Sequence, residues 1–229
     1  MGEGMAATDY TFDWTYLFTG EALDAALGGL AFTAGLSVVS LLAGSVVGLF
    51  CALVRANNVP VLAQLAYAYT EFFRTTPGLV QLIWIFYALP ILLGVELPVI
   101  SAGVLALTLN SGAVLGEVFR AGITSVGPGQ LEAAAVLRFT RLQTISHVIL
   151  PQAFRHVLPA LATTLILLIK ESSLLSVIAV PEITYRAQSI VNATFRPLEV
   201  YTLLAVMYFV VTYPLSMLSG RLERKLAMV

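Results

Sequence analysis

The chain has 229 residues, of which 59% are hydrophobic and 11% charged, with a mean hydropathy of +0.90 and a formal net charge of −1. A water-soluble domain carries about a quarter charged residues, so this composition cannot coat a soluble globule and implies a polytopic membrane protein. A nucleic-acid partner is not expected. Cys51 is the single cysteine, cannot form an internal disulfide, and reads as a small packing residue in an apolar run.

Residues 1–24 are expected to form an extracytoplasmic N-terminal segment. The first 29 residues contain Glu3, Asp9, Asp13, Glu21 and Asp24 but no Lys or Arg, so the basic start of a secretory signal is missing. A bilayer core of about 30 Å needs about 20 apolar residues in helix. Five segments meet that length: Ala25–Val54, Val61–Leu93, Val99–Phe119, Gln152–Val180 and Val200–Ser219. The first carries Gly44 and Gly48 in a G-x-x-x-G pattern, read as a packing face for another helix or for a second chain. The second is interrupted by Glu71, Arg74 and Pro77. Pro77 frees a backbone carbonyl and predicts a kink there. Residues 226–229 are a short C-terminal tail.

Five spans place the termini on opposite sides. With the N-terminus outside and the C-terminus inside, Arg55, Arg120, Arg138, Arg141, Arg155, Arg221, Arg224 and Lys225 all fall inside, and only Arg186 and Arg196 fall outside. The positive-inside rule selects that orientation and makes the 127–151 loop cytoplasmic.

Charges within spans are costly, about 2.5–3.5 kcal/mol at the centre, and mark pathways, partners or ion pairs. Glu71 and Arg74 share a helix face about 15–20 Å into the second span. They read as an ion pair that holds the bundle, or as a substrate-facing pair. Lys170 and Glu171 are adjacent and must point in different directions, so at least one seeks the path or another partner. Ser172 and Ser173 add hydroxyls at that depth, and Asn110 lies near the middle of the third span. Glu117 and Arg120 read as a structural pair or an interfacial anchor.

Enzyme signatures are missing. No Asp follows Asp24, His147 and His156 are the only histidines, and no G-x-x-x-x-G-K-[ST] phosphate loop occurs. No metal or cofactor is expected on this chain. A helical membrane enzyme using Glu and Lys as acid and base is the rival reading. It lacks a recognised catalytic spacing, and a passive channel would not explain the 127–151 loop.

That loop carries the strongest signal. Pro128 and Gly129 break structure, and Leu131, Ala134, Ala135 and Leu137 predict one face of a short helix lying across the membrane surface. Glu132 to Pro151 reads EAAAVLRFTRLQTISHVILP. This resembles the EAA loop of the membrane subunits of ABC importers: Glu132, Ala133 and Ala134 match, and Val148, Leu150 and Pro151 close the motif. Arg138 stands where that family usually has glycine. Because arginine resists positive φ, the helix is expected to run on through Arg138 or to turn in an ordinary conformation.

The resemblance extends to EFFRTTPGLVQL (71–82), NSGAVLGEVFRAGI (110–123), LPQAFRHVLPAL (150–161) and KESSLLSVI (170–178). Together these are similar to the polar amino-acid branch of ABC importer permeases over about 25–225. The resemblance implies an all-α membrane domain of the type I importer fold, a second permease of the same or a sister chain, and ATPase subunits that bind ATP and Mg. It also implies an extracytoplasmic binding protein, an amino-acid substrate, and a bacterial inner-membrane location within lipid. It makes Gly129, Glu132, Ala133, Ala134, Leu137, Arg138 and Arg141 the ATPase-coupling residues. It makes Lys170, Glu171, Ser172, Asn110, Glu71 and Arg74 candidates for the substrate path.

Overall fold

The computed structural model describes residues 11–18, 20–57 and 59–227. Every regular element among them is helical. A 3₁₀ turn, Trp14–Phe18, leads into α1 (Gly20–Ala56). Then follow α2 (Leu62–Thr75), α3 (Gly78–Leu93), α4 (Val99–Thr124), α5 (Pro128–Val136), α6 (Arg141–Ile178), α7 (Ile183–Thr194) and α8 (Pro197–Ala227). Among the described residues four helices, over Ala22–Ala56, α4, α6 and Pro197–Leu226, are long and apolar enough to cross a bilayer, and α2 with α3 is a bent pair that as a broken span brings the number to five.

The expected five spans are present, with three differences. The second is bent by 111° between Thr75 and Gly78. Pro77 cannot donate to the Phe73 carbonyl, and the chain turns where that bond is lost. The fourth is longer than its apolar run, because the helix begins in the loop at Arg141. Thr140 and Gln143 form a reciprocal capping box at that start, with Thr140 N donating to Gln143 Oε1 at 2.8 Å and Gln143 N donating to Thr140 Oγ1 at 3.3 Å. The third difference is α7, absent from the sequence reading. It starts because the Glu182 carboxylate accepts from Thr184 N at 2.9 Å and Tyr185 N at 2.6 Å.

Two π turns, Trp84–Ala88 and Ile145–Ile149, each end two residues before a proline, Pro90 and Pro151. The wider turn re-routes hydrogen bonds that those prolines cannot make.

The G-x-x-x-G of α1 faces α4 within this chain. A Cβ on Gly48 would lie 2.8 Å from Gly116 N and 2.9 Å from Gly112 O, and one on Gly44 would lie 2.3 Å from Ser111 Oγ. The two helices therefore meet backbone to backbone, as small residues allow. Cys51 is buried against Val54 and Ala66, as its apolar setting predicts. The main core joins α1, α3, α4 and α6 through Leu36, Leu82, Ala106, Leu168 and Leu175.

The described part of the N-terminal segment is fastened to the start of α8. Asp13 N donates to Glu199 Oε1 at 3.0 Å, and Arg196 Nη1 lies 2.9 Å from Asp13 Oδ2. Residues 1–10 and 228–229, part of the predicted terminal segments, lie outside the described residues.

Candidate functional site

The 127–151 loop folds as a helix, a reversal and a second helix start. Gly127 in extended conformation and Pro128 at the first turn open α5. Of the predicted apolar face, only Ala134 turns toward the protein, at 3% exposure. Leu131, Ala135 and Leu137 are exposed, as are Glu132 and Ala133, and Val136 is 82% exposed. One alanine seats the helix on its own chain, and the rest of the predicted face stays exposed.

Arg138 departs from expectation in conformation. It adopts φ 55°, the left-handed region. Arg138 N donates to Ala135 O at 2.9 Å and Phe139 N to Ala134 O at 3.0 Å. These are the two bonds of a Schellman cap. Arginine thus takes the backbone role usually given to glycine, because the cap satisfies carbonyls that would otherwise be left open. Gln152 Nε2 donates to Gln130 Oε1 at 2.5 Å, tying α6 to α5. Gly129 has open space where a side chain would sit, and Arg141 is exposed at the start of α6.

The second assembly lies at the break in the second span. Gln81, 4% exposed, donates from Nε2 to Phe73 O and to Thr76 O, both at 2.8 Å. Asn110 Nδ2 donates to Gln81 Oε1 at 3.2 Å and to Phe73 O at 3.4 Å. The carbonyl freed by Pro77 is therefore met by two side-chain amides. Sequence reasoning missed Gln81; its signal was a polar residue four positions after a mid-span proline.

Beside this network, Gly78, Gln81, Leu107, Asn110, Glu171 and Leu174 line a narrow crevice of about 20 Å³. The structure thus brings Asn110 and Glu171 together. It separates Lys170, which is exposed outside the crevice and forms no ion pair among the described residues. The adjacent charges point apart, as expected. Ser172 is fully buried and its Oγ donates to Ile169 O at 2.8 Å. Glu71 and Arg74 lie 3.7 Å apart on one face of α2, with side chains 42% and 45% exposed. Toward the other end of α4, Glu117 pairs with Arg120 at 2.8 Å and also with Arg55 of α1.

A family model described as "binding-protein-dependent transport system inner membrane component" matches residues 44–228. The chain belongs to this family. It is 35% identical over 216 residues to the glutamine transport system permease protein GlnP of Escherichia coli (strain K12), covering 94% of this chain and 98% of the relative. It is 34% identical over 219 residues to the probable amino-acid permease protein YxeN of Bacillus subtilis (strain 168), covering 95% and 97%. The fold matches the crystal structure of an amino acid ABC transporter with histidines at TM-score 0.87 and 36% identity, covering 94% of this chain and all of that chain. An inward-facing MetNI methionine transporter shares the fold at TM-score 0.75 and 19% identity, covering 91% of this chain and 99% of that chain.

As an inner membrane component of such a transport system, the chain is a permease subunit of an ABC importer in the bacterial inner membrane. It is not an enzyme; ATP hydrolysis lies on a separate ATPase subunit.

Proposed function

We propose that this permease carries a polar amino acid, and that the crevice at the broken span is where it passes. The observation that carries this reading is Glu171, whose side chain lines a crevice between α3, α4 and α6 beside two amides. A carboxylate in a cavity of low dielectric is a strong acceptor for an ammonium group, which every amino acid supplies. Lys170 and the Glu71–Arg74 pair flank the route and shape its field.

The remaining assignments support the same reading. The exposed face of α5, with Glu132, Ala133 and Leu137, docks in a groove of the ATPase, which binds ATP and Mg; this chain holds no cofactor. A second permease chain completes the path, and a binding protein delivers substrate at the outer face. The positive-inside count supports an outside N-terminus and an inside C-terminus, which puts α5 on the ATPase side. ATP-driven movement of α5 and Arg141 rocks the spans about the mid-membrane crevice, following the general logic of alternating access.

The test is ligand-stimulated ATP hydrolysis by the reconstituted complex with its binding protein. Glu171→Gln should abolish stimulation and uptake while the complex still assembles. Leu137→Glu, on an exposed position, should instead block assembly or uncouple hydrolysis. If Glu171→Gln transports normally, the crevice is not the path; if Leu137→Glu leaves coupling intact, α5 is not the docking surface.

A further inference from the structure

A second, larger groove of about 630 Å³ opens between α6 and α8, lined by Arg155, His156, Pro159, Ala160, Thr163 and Glu223. Its level in the bilayer follows from two helices independently. From Arg155 to Ile178 α6 rises about 35 Å, and from Pro197 to Glu223 α8 rises about 39 Å, at about 1.5 Å per residue. A hydrocarbon core is about 30 Å thick. Arg155, His156 and Glu223 therefore stand about one bilayer thickness from the other ends of their helices, the spacing that places them at headgroup level when those ends lie at the opposite surface.

The groove changes character with depth. Its mouth holds a guanidinium, an imidazole and a carboxylate. Its floor runs about 12 Å toward the membrane centre, from Arg155 to Thr163, over Pro159 and Ala160. Thr163 Oγ1 and Ser219 Oγ close the floor at 3.1 Å. Arg155 and Glu223 form no ion pair with each other, and neither is paired with any other described residue. Two opposite charges are thus held apart across an open slot. Pro159 adds a third feature, because it has no N–H to give the Arg155 carbonyl one turn earlier.

We propose that this groove binds the headgroup of an aminophospholipid, such as phosphatidylethanolamine. Arg155 and His156 receive the phosphate, Arg155 through the planar fork suited to it. Glu223 and the Arg155 carbonyl receive the ammonium, and the small-residue floor takes the start of an acyl chain. An anionic lipid without an amine would leave Glu223 unmatched. A free amino acid would leave the floor over Pro159 and Ala160 unused. Gln152 lines the same groove and bonds Gln130 of α5, so occupancy is felt at the coupling helix; that last link alone rests on the proposed ATPase docking.

The test uses the assembled transporter released from vesicles of equal phosphatidylethanolamine, phosphatidylcholine and phosphatidylglycerol, with retained lipids counted by native mass spectrometry. The wild-type complex should retain phosphatidylethanolamine over phosphatidylcholine by roughly tenfold, the factor for one charge-assisted hydrogen bond. Glu223→Gln should abolish that preference and leave phosphatidylglycerol retention unchanged. Arg155→Gln and the groove-filling Ala160→Phe should release all three. The proposal is overturned if phosphatidylglycerol wins in the wild type, if Glu223→Gln keeps the preference, or if free amino acid displaces the retained lipid. Because lipid retention needs no ATP hydrolysis, failure here is distinguishable from failure of the docking assignment.

Discussion

Arg138→Gly should strengthen the end of α5 even though it deletes a charge from it. In the structure Arg138 sits at φ 55°, directly after the C-cap Leu137, and both Schellman bonds are formed at 2.9 and 3.0 Å. Holding an L-residue with a Cβ in the left-handed region costs about 1–2 kcal/mol. Glycine removes that cost and adds roughly 0.5–1 kcal/mol of backbone entropy loss on folding. The net is a gain of about 0.5–1 kcal/mol, or a two- to fivefold drop in the local opening equilibrium. Hydrogen exchange at the Phe139 amide, measured in the assembled complex in lipid nanodiscs, reads that opening directly. Exchange should be slowest with Gly at position 138 and rise through Asn and Ala to Val, with Val faster than the parent because its β-branch tolerates positive φ worst. If Gly and Val exchange alike, the cap does not carry strain. If uptake falls equally in Gly and Ala variants, the Arg138 charge matters more than its backbone.

Gly48→Ala should separate α1 from α4, since its Cβ would meet backbone atoms of Gly112 and Gly116 that cannot give way. A loss of about 1–3 kcal/mol follows, seen as a lower unfolding temperature in detergent, while Gly35→Ala, with open space around it, should be neutral or stabilising. Gln81→Leu leaves the Thr76 carbonyl without its side-chain donor and the Phe73 carbonyl with only the longer bond from Asn110. It should cost about 1–3 kcal/mol and impair uptake; unchanged thermal stability would mean the break is held by packing alone. Burial holds the Glu182 carboxyl above its ordinary value of 4.5, outweighing the bonds from Thr184, Tyr185 and Tyr208. A raised folded value means this group's contribution is full below about pH 4.5 and is lost as pH rises through the folded value. Glu182→Gln, which keeps a capping oxygen, should flatten that part of the stability–pH curve; a slope unchanged from the parent would assign the effect to another group.

The spans were legible because each is a long apolar run, and the bend was legible because Pro77 interrupts one. The partners of the bend were not, since Gln81 and Asn110 are single polar residues in different helices and only the fold brings them within 3.2 Å. Helix α7 was hidden because its apolar and polar residues mix without a long apolar run, and its start is set by a glutamate cap rather than the commoner Ser, Thr, Asp or Asn. The short helix after Pro128 was legible in the breakers at 128–129 and the helix formers that follow, but its spacing did not show that Ala134 alone would seat it on this chain. At Arg138 the local preference against positive φ lost to two backbone hydrogen bonds that depend on where the helix stops.

The bent span also sets which atoms a guest can meet. Pro77 lacks one hydrogen, so the Phe73 oxygen turns to the amide of Gln81, and both hydrogens on that nitrogen are spent on Phe73 and Thr76. Gln81 must then offer its oxygen to Asn110, and Asn110 must answer with its nitrogen. What remains at the end of this chain of obligations is the Asn110 oxygen, set beside the Glu171 carboxylate. The crevice is thereby biased toward electron-rich atoms, and that polarity is inherited from a proline four residues before Gln81. Pro77→Ala would give the Phe73 oxygen a backbone donor, and the relay of amides could then run in either direction.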